Sequence, residues 1–177
     1  MKVGVQYIEP LHRVYAIIEG VNPRFIVDLN VGKLAKRLRM SGYDTLFIKV
    51  LDNNEIIRVA LEEERILLTK DTGIMKRRVV FTGKVVAILI ESDNVREQLR
   101  QVVQALQLAP VPHPFSLCME CNEALTSREK EEVCDLVPPY VFKTQEHYMQ
   151  CPNCLRVYWR GTHWQGMQQE LEALTQR

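Results

Sequence analysis

Two Cys-x-x-Cys pairs, Cys118-Met-Glu-Cys121 and Cys151-Pro-Asn-Cys154, carry the most decided chemistry in this chain. Each pair can close a tight turn that aims two sulfurs at one point, and four thiolates are the ligand set of a structural, tetrahedral zinc ion. The N-terminus, Met-Lys-Val-Gly-Val-Gln, has no signal-peptide apolar region, which argues against two disulfides. A thioredoxin-type redox site uses one such pair beside a βαβ unit, not two in a loop-rich tail. Iron is the other metal that four thiolates accept. Cys134, the odd fifth cysteine, reads as a small buried or free thiol. Residues 115–167 are therefore expected to form a four-cysteine zinc ribbon whose fold draws much of its stability from the metal.

A second set of residues is acidic. Asp28 ends an apolar run, Phe25-Ile26-Val27; Asp71 follows Ile66-Leu67-Leu68; Asp93 follows the run from Val85 to Ile90; Asp52 and Glu55 follow the run from Leu46 to Val50. Carboxylates without histidines suit hard cations such as Mg²⁺ or Mn²⁺. Two such ions about 4 Å apart activate a water and stabilise an in-line phosphoryl displacement. Each acid also has a plain reading: Asp52 and Asp93 as helix N-caps, Glu55 as the partner in a capping box, Asp71 as a turn residue. Asp28 is the hardest to explain by structure alone, and the common placement of all five at strand ends is what favours a site.

The elements that must position these groups follow from the spacing. The apolar runs read as four strands. Between them Val31, Leu34, Ala35 and Leu38 recur on one helical face with Gly42 as the stop, and Ile56, Ile57, Val59 and Ala60 mark a second helix. A third helix starts at Asp93 and turns Val95, Leu99, Val102, Val103 and Leu106 inward. Strands alternating with helices predict an α/β domain with a mainly parallel sheet over residues 25–109, and ligands of such sheets bind beyond the carboxyl ends of the strands. Asp44 precedes the second strand and so falls at the opposite end. Ala109-Pro-Val-Pro-His-Pro114 is a linker between this domain and the ribbon. Residues 168–177 continue as a short amphipathic helix, and residues 1–24 form an extension without a functional reading, in which Val14–Ile18 could add a strand.

Composition narrows the partners. The chain has 177 residues, a formal charge of +1, 46% hydrophobic and 25% charged residues, and no apolar run of transmembrane length. No membrane partner is expected, and paired thiols without an export signal place the protein in the cytoplasm. A basic surface must be local: Lys33, Lys36, Arg37 and Arg39 on the first helix, and Lys76-Arg77-Arg78 after Asp71, are spaced to meet a phosphate backbone or to form a solvated face. Tyr158-Trp159-Arg160-Gly161-Thr162-His163-Trp164 interleaves aromatics with cations. Arg160 and Trp164 could stack single-stranded RNA, or the tryptophans could brace the ribbon.

These motifs occur in the order found in a known family. Phe25 to Asp44, Ile66-Leu-Leu-Thr-Lys-Asp71, Gln98-Leu99, Cys118-x-x-Cys-Asn122, Cys151-x-x-Cys154 and Tyr158 to Trp164 resemble the Mut-seven C-terminal RNase domain over about residues 24–167. The resemblance implies a PIN-like nuclease fold followed by a zinc ribbon, and a ribonuclease that uses Mg²⁺ or Mn²⁺ held by Asp28 and Asp71, with Asp93 and Glu55 beside them. It also puts a recurrent aspartate at Asp44, against the topology, and an arginine at Arg39 that could hold a carboxylate or a phosphate. Lys33, Arg37 and Arg39 would steer the RNA. The chain departs from the family at Lys70, where arginine is usual, and at Asn53-Asn54, where aspartate is usual; amide oxygens ligate metals more weakly than carboxylates. The alternative is a non-catalytic RNA-binding or adaptor protein that works through the ribbon.

Overall fold

The computed structural model describes residues 22–50, 52–108, 114–161, 164–166 and 168–169. The strand expected at Val14–Ile18, linker residues 109–113, His163 and most of the final helix lie outside the described residues.

Four parallel strands, β1 (Phe25–Val27), β2 (Thr45–Leu46), β3 (Ile66–Thr69) and β4 (Ala87–Leu89), form a sheet in the order β2-β1-β3-β4. The helices that join them are α1 (Gly32–Met40), α2 (Asn53–Glu62) and two single turns, α3 (Thr72–Met75) and α4 (Arg78–Phe81), with α5 (Val95–Leu106) after β4. The central strands are apolar on both sides because both sides are covered. Phe25, Val27 and Leu68 pack with Leu34 and Leu38 of α1 and Leu99, Val102 and Leu106 of α5. Ile26 and Leu67 pack with Ile56, Ile57 and Ala60 of α2, Ile74 of α3 and Val80 of α4. Each fully buried Leu or Ile contributes about 1.5–3 kcal/mol, so these two layers hold the sheet.

Two details differ from the sequence expectation. The second strand stops at Leu46 instead of reaching Val50, because β1 offers it only Phe25 and Ile26 as partners before the chain turns away at Asp28. Val50 is accordingly 86% exposed. The last helix is capped by Asn94, whose side chain accepts the Arg96 and Glu97 amides, and not by Asp93.

The ribbon has its own antiparallel sheet, β5 (Thr126–Arg128), β6 (Tyr148–Gln150) and β7 (Val157–Trp159), in that order. The segment between β5 and β6 carries a 3-10 turn, Lys130–Val133, and α6 (Pro139–Thr144). Val133, Val137 and Tyr148 are its small core, with Val141, Phe142, Val157 and Trp159 at the margin. The ribbon packs on the end of the parallel sheet where the strands begin. There the Phe115 amide donates to the Met40 carbonyl at the end of α1, and the Thr45 amide donates to Asn122 Oδ1. Among the described residues no helix is long and apolar enough to cross a membrane.

Candidate functional site

The carboxyl edge of the parallel sheet is built from caps. Asp28 directly follows β1 and is only 7% exposed. One of its oxygens accepts the Asn30 amide at 2.8 Å, which caps a 3-10 turn, Leu29–Val31. The other accepts the Thr69 hydroxyl and the Lys70 amide. Thr69, fully buried at the end of β3, in turn accepts the Asp71 amide at 2.9 Å. One hydroxyl thus ties the two aspartates together. Asp71 caps α3 through the Gly73 amide at 2.6 Å, and its second oxygen accepts the Asn53 side-chain amide at 2.7 Å. Those two hydrogen bonds, the Gly73 one first, hold its carboxyl below the ordinary carboxylate range.

The other expected acids stand differently. Glu55 closes the capping box of α2: Asp52 accepts the Asn54 and Glu55 amides, and the Glu55 carboxylate accepts the Asp52 amide at 3.0 Å. Asp93 is fully exposed and paired with Lys70, whose ammonium keeps its carboxyl below the ordinary range. Among the described residues, no three of these acids converge on one point. The edge therefore brings together Asp28 and Asp71, with Asn53 and Thr69 beside them. Asp28 and Asp71 are the pair that could hold a single Mg²⁺ or Mn²⁺, an ion that keeps most of its waters when one or two carboxylates bind it.

Asp44 lies at the other end of the sheet, as its place before β2 dictates, and does not join them. It pairs with Arg65 at 2.8 Å and accepts the Asn122 amide of the ribbon at 2.6 Å. Burial alone would raise its carboxyl, but Arg65 and Asn122 outweigh that and lower it. Arg39 corrects a second expectation. It is 3% exposed, too buried to meet an RNA phosphate, and it donates to the Thr45 carbonyl and to the Met119 and Glu120 carbonyls, each at 2.9 Å. Lys36 adds an ion pair to Glu120 at 2.5 Å. Arg39, Asp44 and Asn122 are thus the lock between the two parts of the molecule. In sequence a guanidinium and a carboxylate look alike whether they meet a phosphate or a metal or, as Arg39 and Asp44 do, hold two segments together. Asn122 carried no assigned role in the sequence; its signal is its place directly after a Cys-x-x-Cys pair, where φ is 68° and asparagine is one of the few residues at ease. Lys33 is exposed on α1, and Arg37, on the same helix, is half-buried.

The second site is the cysteine cluster. The sulfurs of Cys118, Cys121, Cys151 and Cys154 all lie within 4.8 Å of one another, and Cys118 and Cys154 are 3.7 Å apart. With Zn–S bonds of about 2.3 Å, a tetrahedron has edges of about 3.8 Å, so this spacing fits one zinc ion. It is far beyond a disulfide, and all five cysteines are free thiols. The two turns repeat one design. The Cys121 amide donates to the Cys118 sulfur and the Cys154 amide to the Cys151 sulfur, both at 3.4 Å. Burial pushes the Cys118 thiol up, but the Tyr158 hydroxyl at 3.2 Å and neighbouring amides outweigh it and bring it down to about 7. Cys121 is pushed up to about 12 by burial and by the sulfurs around it. Cys134 is exposed and outside the cluster. Trp159 lies on β7 at the margin of the ribbon core. Trp164 packs against Phe115 with ring centres 5.1 Å apart, and Arg160 lies 5.3 Å over its ring, so these two sit at the seam, away from the acidic edge.

The Mut7-C RNAse domain family model matches residues 23–171. No curated protein and no solved structure gives a match. The match takes in both the acidic edge and the cysteine cluster, and the chain belongs to the Mut7-C RNAse domain family.

Proposed function

We propose that the protein is a metal-dependent ribonuclease with its reaction centre at Asp28 and Asp71 and a structural zinc ion at the four cysteines. The observation that carries this reading is the Asp28–Thr69–Asp71 chain at the carboxyl edge of a parallel sheet, in a chain of an RNase-domain family. A Mg²⁺ or Mn²⁺ ion bound there supplies a Lewis acid for the phosphate and an acidified water. Asp28 and Asp71 hold that ion; Thr69 fixes the Asp28 carboxylate; Asn53 fixes Asp71. Asp93 with Lys70, and Glu55 with Asp52, shape the rim. Lys33 and Arg37 on α1 face the incoming strand of single-stranded RNA, and Arg160 with Trp164 contacts it only if it runs the length of the molecule. Paired free thiols suit a reducing compartment, and we assign the protein to the cytoplasm.

The adaptor reading is favoured by one observation: Asn53, where the family usually carries an acid, donates a hydrogen bond to Asp71 instead of offering a third carboxylate. A Mn²⁺ titration of the zinc-loaded protein separates the two. Paramagnetic broadening of the Asp28 and Asp71 resonances, together with Mn²⁺-dependent cleavage of an RNA panel, supports the enzyme. RNA binding that is unaffected by Mn²⁺, with neither broadening nor cleavage, supports the adaptor.

A further inference from the structure

An open groove of about 330 Å³ lies between α2 and α4, lined by Asn54, Ile57, Arg77, Arg78 and Val79. We infer that this groove binds one nucleotide of the RNA strand, next to the phosphate at Asp28 and Asp71; the inference rests on the nuclease reading above. Its volume is at the lower end of the range for small-molecule sites, where one nucleotide unit belongs. Its lining divides as a nucleotide does. Arg77 and Arg78 are exposed guanidiniums that suit a phosphate. Ile57 and Val79 are an apolar floor for the face of a base or ribose. Asn54 is an exposed amide at the edge, where a base carries its donors and acceptors.

The groove is joined to the acidic edge by two hydrogen bonds. Arg77 Nη2 donates to Asn54 Oδ1 at 2.7 Å, and the adjacent Asn53 donates to Asp71 Oδ2 at 2.7 Å. A strand whose phosphate reaches Asp71 therefore has its neighbouring nucleotide over the groove. Asn54 gives its oxygen to Arg77, and its amide nitrogen makes no hydrogen bond among the described residues, so a donor remains. Arg78 makes no ion pair among the described residues. Its guanidinium is exposed and open to a phosphate of the strand. Phe81 is 58% exposed three residues after Arg78 on the same turn, which places it on the same side as a second flat surface for the next base.

The test uses the full, zinc-loaded chain without added Mg²⁺ or Mn²⁺. A nucleoside 5′-monophosphate is titrated and followed by ¹⁵N shift mapping, with inorganic phosphate in a parallel titration. A fluorescent single-stranded oligoribonucleotide is followed by anisotropy. The mononucleotide is expected to shift Asn54, Arg77, Arg78 and Val79, and phosphate alone to shift the arginines but neither Asn54 nor Val79. Arg78→Ala is expected to weaken the oligonucleotide about five-fold or more and to reduce the salt dependence by about one unit of slope. Arg100→Ala, on α5 at the other face of the sheet, serves as the control. Shifts confined to other surfaces, identical maps for mononucleotide and phosphate, or equal losses in Arg78→Ala and Arg100→Ala overturn the inference. Cleavage is scored separately. A wild type that maps to the groove but cuts no RNA removes the nuclease reading and leaves the nucleotide site; a wild type that cuts RNA with a silent groove does the reverse.

Discussion

With the Asn30 and Lys70 amides and the Thr69 hydroxyl all donating to it, the Asp28 carboxylate has a fixed orientation before any ion arrives. Asp28→Asn turns an amide N–H₂ toward one of those donors, so the variant should lose about 1–3 kcal/mol of stability as well as cleavage. Asp71→Asn is the cleaner probe. Asparagine and aspartate cap helices about equally well, and the exposed Asn53 amide can turn its oxygen toward the new N–H₂, so the melting temperature should fall less than in Asp28→Asn while cleavage falls by about 100-fold or more. Asp71→Ala should lose the cap too, at a cost of about 1 kcal/mol; thermal melts beside a cleavage assay check all three variants. At this scale the cysteines and the capping box were legible because their partners are two or three residues away. Asp28 and Asp71 were legible as strand-end acids. The role of Arg39 was not, since its acceptors are main-chain carbonyls on a segment distant in sequence, and nothing in the residue types there encodes a carbonyl's direction.

Among the elements, α1 connects the two ends of the molecule. It begins just past Asp28 and ends in Met40, Ser41 and Gly42, where Gly42 takes a φ of 88° and turns the chain toward β2. Arg39, in its last turn, and Lys36 are the contacts through which the helix grips the Cys118–Cys121 turn, and Arg39 is the buried one. Arg39→Ala leaves the Met119 and Glu120 carbonyls without their donor at the seam and should destabilise the docked ribbon by about 3 kcal/mol. Arg39→Lys should recover less than half of this, because one ammonium does not span carbonyls on two segments as a planar guanidinium does. Hydrogen exchange at Cys121 and Asn122 would register the loosening, and wild-type protection in Arg39→Ala would contradict the lock. The tryptophans belong to the same scale. With Trp164 packed on Phe115 and under Arg160, and Trp159 at the ribbon core, both Trp→Ala variants should melt lower. Of the two, only Trp164→Ala should weaken the binding of a single-stranded RNA long enough to reach the seam, by about 1–3 kcal/mol. Periodicity gave the helices well because their apolar faces meet a covered sheet. It overran β2 because Ile48 and Val50 have strand propensity but no strand to pair with: register on β1, which the run itself does not reveal, ends the pairing at Ile26.

The whole molecule places its two chemistries at opposite ends: an acidic edge where the parallel strands finish and a thiolate cluster against the end where they begin. The nine residues of α1 separate them by about 14 Å of helix. A zinc ion held by the four cysteines would therefore act on the acidic edge only through the fold. Cys151→Ser should release zinc and unfold the ribbon, whose apolar core is small, while the parallel sheet keeps its two layers; elemental analysis and a two-step melt would show it. A single cooperative loss of all structure would mean that the seam, and not the two cores, governs stability. The change from a parallel to an antiparallel sheet was legible from the change from helical period to cysteine pairs, whereas the docking of one on the other was not, because Asp44, Arg65 and Asn122 come from three separated segments. The central claim is that the acidic edge cuts RNA. Its most direct measurement is the Mn²⁺-dependent cleavage rate of a single-stranded RNA by wild type and by Asp71→Asn, each carrying its zinc and each folded. Cleavage by wild type that rises with Mn²⁺ and drops about 100-fold or more in the variant is the expected result; an inert wild type, or equal rates in the two proteins, would contradict it.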